Sequence, residues 1–143
     1  MAKNLVFRND NKKNRAEDLG LTLDSGVPVL SLSGAPAVTL TASADLTRSE
    51  VIPGVGTLSG IAAGGASLEG QEVSLAFDGT WEFPEADIAG TTAATAEQGD
   101  AIYITANNEL TTTEGSNTYF GSVDFPVEYD KTRGFVPVKI GAR

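Results

Sequence analysis

From Leu19 onward the chain is built of short runs in which apolar and polar residues alternate, with turn residues between them. LGLTLD (19–24) sets Leu19, Leu21 and Leu23 against Gly20, Thr22 and Asp24. VPVLSL (27–32) alternates Val27, Val29 and Ser31 with Pro28, Leu30 and Leu32, and PAVTLTA (36–42) sets Val38 and Leu40 opposite Thr39 and Thr41. VGTLSGIA, EVSLAF, TWEF, AIYITA, TYFGSVDF and FVPVKI follow, all short and rich in Val, Ile, Thr, Tyr and Phe. A period of two places alternate side chains on opposite faces of a strand, and these residue types suit a pleated surface.

The joints are Gly, Pro, Asn and Asp. Asp78-Gly79, between EVSLAF and TWEF, predicts a tight hairpin, because a two-residue type I′ turn needs positive φ at both central positions. Asn107-Asn108 predicts a second hairpin between AIYITA and ELTTT. ADIAGTTAATAEQG (86–99) has glycines and threonines that leave room for one helical turn at most. Pro28 and Pro137 each remove a ladder donor, which assigns VPVLSL and FVPVKI to sheet edges or bulges. The pattern predicts an all-β fold, a single small β-barrel or β-sandwich of many short strands with an extended N-terminal arm.

That arm is residues 1–18, MAKNLVFRNDNKKNRAED, where neither a helical period nor strand alternation is present; residues 19–143 form the β-rich domain. The arm's one apolar patch is Leu5, Val6 and Phe7. Fully extended, it would reach roughly 60 Å at about 3.3 Å per residue. Charge sharpens the division. Residues 1–15 carry five basic groups (Lys3, Arg8, Lys12, Lys13, Arg15) against Asp10, whereas residues 16–130 hold Arg48 alone against eighteen acids. Residues 131–143 carry Lys131, Arg133, Lys139 and Arg143 with no acid, and the net charge is −9. Basic ends on an acidic body suit an acidic protein surface or the body of an adjacent copy, and disfavour nucleic acid, whose phosphates the body repels. The arm is therefore expected to bind an acidic partner surface or a neighbouring copy through Lys3, Leu5, Val6, Phe7, Arg8, Lys12, Lys13 and Arg15, with apolar anchoring at 5–7 and electrostatic steering from the rest.

Candidate chemistry is sparse. The chain has no histidine and no cysteine, which removes the commonest general base, thiolate nucleophiles and sulfur-ligated metal sites. Gly54-Val55-Gly56 has Ser59 where a dinucleotide loop needs its third glycine, and Gly64-Gly65 is followed by no GK[ST]. No D-x-D-x-D-G spacing surrounds Asp78 or Asp100, and Ser67 and Ser116 lie outside any G-x-S-x-G elbow. In TWEFPEAD, Glu82 points away from Trp81 and Phe83, so carboxylate and aromatics do not make a sugar site; Trp81 and Phe83 are expected in a core or interface and Glu82 in solvent. No catalytic, cofactor or metal residue is assigned. No apolar run spans a bilayer and no h-region follows Lys3 and Arg8, so neither membrane nor secretion is expected.

Several of these strand–turn units together resemble the small capsid cement, or decoration, proteins of tailed bacteriophages, a family long known as a domain of unknown function. A G-x-x-V-x-L-x-x-x-G-x-(aromatic)-x-x-P stretch is matched by Gly70, Val73, Leu75, Gly79, Trp81 and Pro84. A G-D-x-(aliphatic)-Y unit is matched by Gly99, Asp100, Ile102 and Tyr103. Thr111 to Thr113, Phe120-Gly121, and Val138 with Ile140 complete the likeness, over about residues 37–141. Glu85 departs from it, standing where members often carry lysine, and residues 1–36 are an additional extension.

The resemblance implies a non-enzymatic protein on the outside of a virion, assembled in the host cytoplasm. It would bind the major capsid protein, commonly as a homotrimer at local three-fold positions, and hold capsomers against internal pressure. It implies no cofactor. The rival reading is a carbohydrate- or cell-surface-binding β-sandwich, with Trp81, Tyr103 and Tyr119 as a stacking platform.

Overall fold

The computed structural model describes residues 5–7, 14–43, 49–54, 56–59 and 72–141, with side chains from residue 15 onward outside 49–52 and 56–59. Its strands are β1 (Leu5–Phe7), β2 (Asn14–Asp18), β3 (Pro28–Leu30), β4 (Pro36–Thr39), β5 (Ser49–Ile52), β6 (Gly56–Ser59) and β7 (Glu72–Ala76). They continue with β8 (Thr80–Pro84), β9 (Ile88–Ala89), β10 (Ala101–Ile104), β11 (Leu110–Thr111), β12 (Thr118–Val123) and β13 (Phe135–Ile140). The only helical pieces among the described residues are 3-10 turns at Glu85–Asp87 and Lys131–Arg133. The all-β expectation holds. The architecture is two main sheets, β1-β8-β13-β12-β10-β11-β9 and β2-β7-β4-β3, one of which forms a half-barrel, together with a separate β5-β6 ribbon.

Alternation explains why two sheets form. On β4, Val38 joins the larger core while Ala37 faces a second cluster; on β7, Ala76 joins the former and Val73 and Leu75 the latter. The four-stranded sheet is therefore buried on both faces at its centre. The larger core gathers Trp81, Phe83, Ile102, Ile104, Phe120, Val123, Val136 and Val138, with Phe83 and Phe120 packed edge to face at 5.9 Å. Full burial of each large apolar side chain contributes about 1.5–3 kcal/mol.

Four expectations are corrected. Asp78-Gly79 does not close a hairpin: β7 belongs to the smaller sheet and β8 to the larger, so the turn hands the chain from one sheet to the other. Only Gly79 has positive φ, +97°, and a type I′ turn needs two such residues. FVPVKI is not an edge, because β13 lies between β8 and β12. The Pro137 carbonyl accepts from Asp124 N–H at 3.0 Å, just past Val123, the end of β12. A strand residue directs N–H and C=O to the same side, so the missing donor falls where that ladder has already ended.

LGLTLD, the third, is not a strand. Leu19 and Leu23 pack on the smaller core while Leu21 is exposed, and Ser43 holds the segment in place of a ladder. The Ser43 hydroxyl donates to Leu21 O at 3.0 Å and accepts from Leu23 N at 2.9 Å, and Ser43 N donates to Leu23 O at 2.8 Å.

The fourth correction concerns NRAED, which forms β2 although it lacks alternation. Residues Asn14 to Asp18 pair antiparallel with Ala76 to Glu72 at the sheet edge, where backbone pairing suffices and no apolar face is needed.

The other assignments agree. β3 is an edge, and Asn107-Asn108 makes its hairpin: β10 pairs with β11, with Asn108 at φ +62° behind an Asn108 N to Thr105 O bond of 3.0 Å. Asn108 Oδ1 then accepts from Leu30 N at 3.0 Å, tying that turn to the edge of the smaller sheet.

Candidate functional site

The candidate N-terminal residues are only partly described. β1 pairs antiparallel with β8, Leu5 opposite Trp81 and Phe7 opposite Thr80, with an irregular register between them. Lys3, Arg8, Lys12 and Lys13, and the side chains of Leu5, Val6 and Phe7, lie outside the described residues. Arg15 is exposed on β2, donating to Glu17 Oε1 at 2.9 Å, with its guanidinium carbon 5.0 Å from the Phe77 ring centroid. β1 and β2 are the outermost strands of their respective sheets.

Trp81 and Phe83 are core residues, 0% and 2% exposed, and the indole N–H donates to Asp78 O at 2.8 Å. The platform of the rival reading is not formed. Tyr103 is also buried and meets Tyr119 edge-on, at 75° and 5.8 Å, so these rings offer no shared flat face to a sugar.

The most highly organised polar feature was not legible in the sequence. It is the loop from Asp124 to Gly134, between β12 and β13. Asp124 anchors its start, accepting from Thr80 Oγ1 at 3.1 Å and Gln98 Nε2 at 2.9 Å, while Gln98 Oε1 accepts from Phe125 N at 2.7 Å. Its tip is the turn Pro126–Tyr129, closed by Tyr129 N to Pro126 O at 3.1 Å, with Glu128 at φ +61°. Glu82 holds its far side through both carboxylate oxygens, Oε2 accepting from Tyr129 Oη at 2.7 Å and Oε1 from Arg133 at 2.9 Å.

Cations and rings complete the lattice. Arg133 lies over Tyr129 and Phe135, Lys131 Nζ sits 4.2 Å from the Phe125 centroid, and Phe125 meets Tyr129 at 5.5 Å. Asp130 caps the following 3-10 turn by accepting from Thr132 N at 3.0 Å, and Gly134 closes it at φ +76°.

The electrostatics follow from these partners. Burial, and then the bond to Glu82, push the Tyr129 phenol well above the usual tyrosine range. The Thr132 hydroxyl and N–H lower Asp130, and Glu82 raises Arg133. Glu82 is thus a clamp; the expectation that it points into solvent is corrected. Tyr129 and Arg133 lie far along the chain from it, so no local spacing announces the contact. On this rigid base Val127 is 94% exposed.

Nothing in this arrangement performs catalysis. Both Glu82 oxygens are committed to structural partners. No cluster of three potential metal ligands occurs among the described residues, and no described helix is long and apolar enough to cross a membrane. Open grooves of about 510 and 580 Å³ lie against Tyr103, with Asp100 and Glu114 in the lining, and against Asn108, with Asp87 and Glu109. No curated protein and no solved structure matches the chain. Residues 32–140 match the family model for phage cement protein, a span that takes in every fully buried residue of the larger core and the clamped loop, and the chain belongs to that non-enzymatic family of capsid decoration proteins.

Proposed function

We propose that the protein decorates the outer surface of a phage head by binding the major capsid protein, that it does so as a homotrimer assembled in the host cytoplasm, and that residues 1–18 are an arm gripping the shell or a neighbouring copy. The observation that carries the arm reading is that the first eighteen residues supply one of the two edge strands of each main sheet. A sheet edge is where another chain adds on through backbone hydrogen bonds. Lys3, Arg8, Lys12 and Lys13 flank β1, so positive charge accompanies that edge in sequence. Leu5, Val6 and Phe7 supply its apolar content, and Arg15 continues the basic series into β2.

The test uses emptied, undecorated shells and co-sedimentation. Deleting residues 1–18 would also strip a strand from each sheet, so the informative variant replaces Lys3, Arg8, Lys12 and Lys13 by Gln. It should keep the fold, slow association by about tenfold, and flatten the salt dependence of binding. Unchanged binding at all salt concentrations would remove the arm from the interface. Light scattering of the free protein, and counting of copies on decorated shells, measure the trimer separately.

A further inference from the structure

A single exposed valine ordinarily means nothing, since apolar atoms cover much of any protein surface. Val127 differs in how it is held. It occupies the tip of a turn whose next residue, Glu128, has φ +61° without being glycine, a conformation that costs about 1 kcal/mol or more. The flanks are fixed by Asp124 on Gln98 and Thr80, and by Tyr129 and Arg133 on Glu82. A strained, braced tip that displays a β-branched side chain has already lost the freedom that binding would otherwise cost.

The same chain carries a receptor for such a tip. Between the two sheets an open cleft of about 240 Å³ is lined by Ala35, Pro36, Phe77, Tyr119, Ile140 and Gly141. Its lining is mostly apolar. Charge matches as well. The tip lies in the acidic body, with Glu128 exposed beside Val127 and with Lys131 and Arg133 turned back onto Phe125 and Glu82. On the cleft side, the exposed Arg15 guanidinium lies over Phe77, one of the lining residues.

We infer that Val127 of one copy seats in the Phe77–Tyr119–Ile140 cleft of a second copy of this chain. Tip and cleft are different surfaces, so the contact is heterologous; repeated around a three-fold axis it closes a ring. This rests on the homotrimer reading and assigns its interface.

The absence of native cysteine makes a direct test available. Val127→Cys is mixed with Ala35→Cys, or with Pro36→Cys in case the first cleft variant fails to fold, and treated with a short bis-maleimide. Ala94→Cys, an exposed position outside the cleft lining, serves as the control partner. The reaction is run on concentrated free protein and on protein bound to emptied shells. The expected result is a mixed covalent dimer at least tenfold above the Ala94→Cys control in one or both settings. Control-level cross-linking in both, with either cleft variant folded, overturns the inference. Sedimentation of the same samples with the shells reports separately on cement activity, and a tip–cleft contact can fail while shell binding survives.

Discussion

Replacing Gly121 by alanine should be among the most damaging single-methyl changes available. Gly121 is buried on β12 between two strands, opposite Ile102 on β10 and Ile140 on β13. A Cβ built there would lie 2.8 Å from the Lys139 carbonyl carbon and 3.2 Å from Ile140 Cα, and would overlap the Lys139 oxygen. These obstacles are backbone atoms of the neighbouring strand and cannot swing aside as a flexible side chain would. Relief requires β12 and β13 to part in the middle of the larger sheet. Overpacking costs about 1–3 kcal/mol, and rigid obstacles place this case near the upper end. The entropy regained on removing a strand glycine returns about 0.5–1 kcal/mol. A net loss of about 2–2.5 kcal/mol remains, or roughly 5–10 °C in Tm for a chain of this size. Gly34→Ala is the comparison, because Gly34 has φ +80° and nothing within 4 Å of its virtual Cβ; backbone strain alone should cost about 1–2 kcal/mol. Thermal melts followed by the single tryptophan would rank the two. A Gly121→Ala protein melting within about 1 °C of the parent, or Gly34→Ala proving the worse, would refute the close-approach argument.

Trp81 should emit in the blue and resist iodide quenching, and Trp81→Ala should lose about 3–5 kcal/mol in denaturant titrations; a red, fully quenched spectrum would contradict its core position. Tyr129 has its phenol raised, so the stability it contributes is fully present below the ordinary tyrosine range and is lost as pH climbs through its elevated value. Accordingly, the difference in ultraviolet phenolate absorbance between the parent protein and Tyr129→Phe should show a late alkaline titration. Glu82→Gln should lower that transition without normalising it, because burial outranks the carboxylate among its causes. Glu82→Ala should cost about 1–3 kcal/mol for the bond lost to the part-buried Tyr129 hydroxyl, seen as a lowered Tm.

Strand identity was legible because it is local. EVSLAF, AIYITA and TYFGSVDF each contain one of the observed strands, and TWEF is all but the last residue of another. Strand partnership was not, because it is decided elsewhere in the chain. Asp78-Gly79 has hairpin composition, yet β8 finds β13 and β1 as neighbours, and no property of the dipeptide encodes that choice. Pro137 argues for an edge only if its absent donor faces a continuing ladder, which depends on where β12 stops. NRAED escaped notice because an edge strand needs no apolar face. The Glu82 clamp draws together residues from β8 and a distant loop, and neither stretch contains a spacing that signals it. The core aromatics of TWEF were readable from strand parity alone.

The wiring of the N-terminal edges also sets a timetable for synthesis. Leu5 finds its strand partner only after Trp81 has been made, and β2 finds its own only after β7. At about 5–20 residues per second, the first eighteen residues wait several seconds outside the ribosome with no sheet to join. During that interval an alternating apolar segment would be an aggregation hazard, whereas a stretch with five basic side chains repels its own copies on neighbouring nascent chains. The unpatterned composition that hides β2 from a sequence reading thus protects the chain before its fold exists, and restricts apolar residues in this late-docking segment to a few positions around β1.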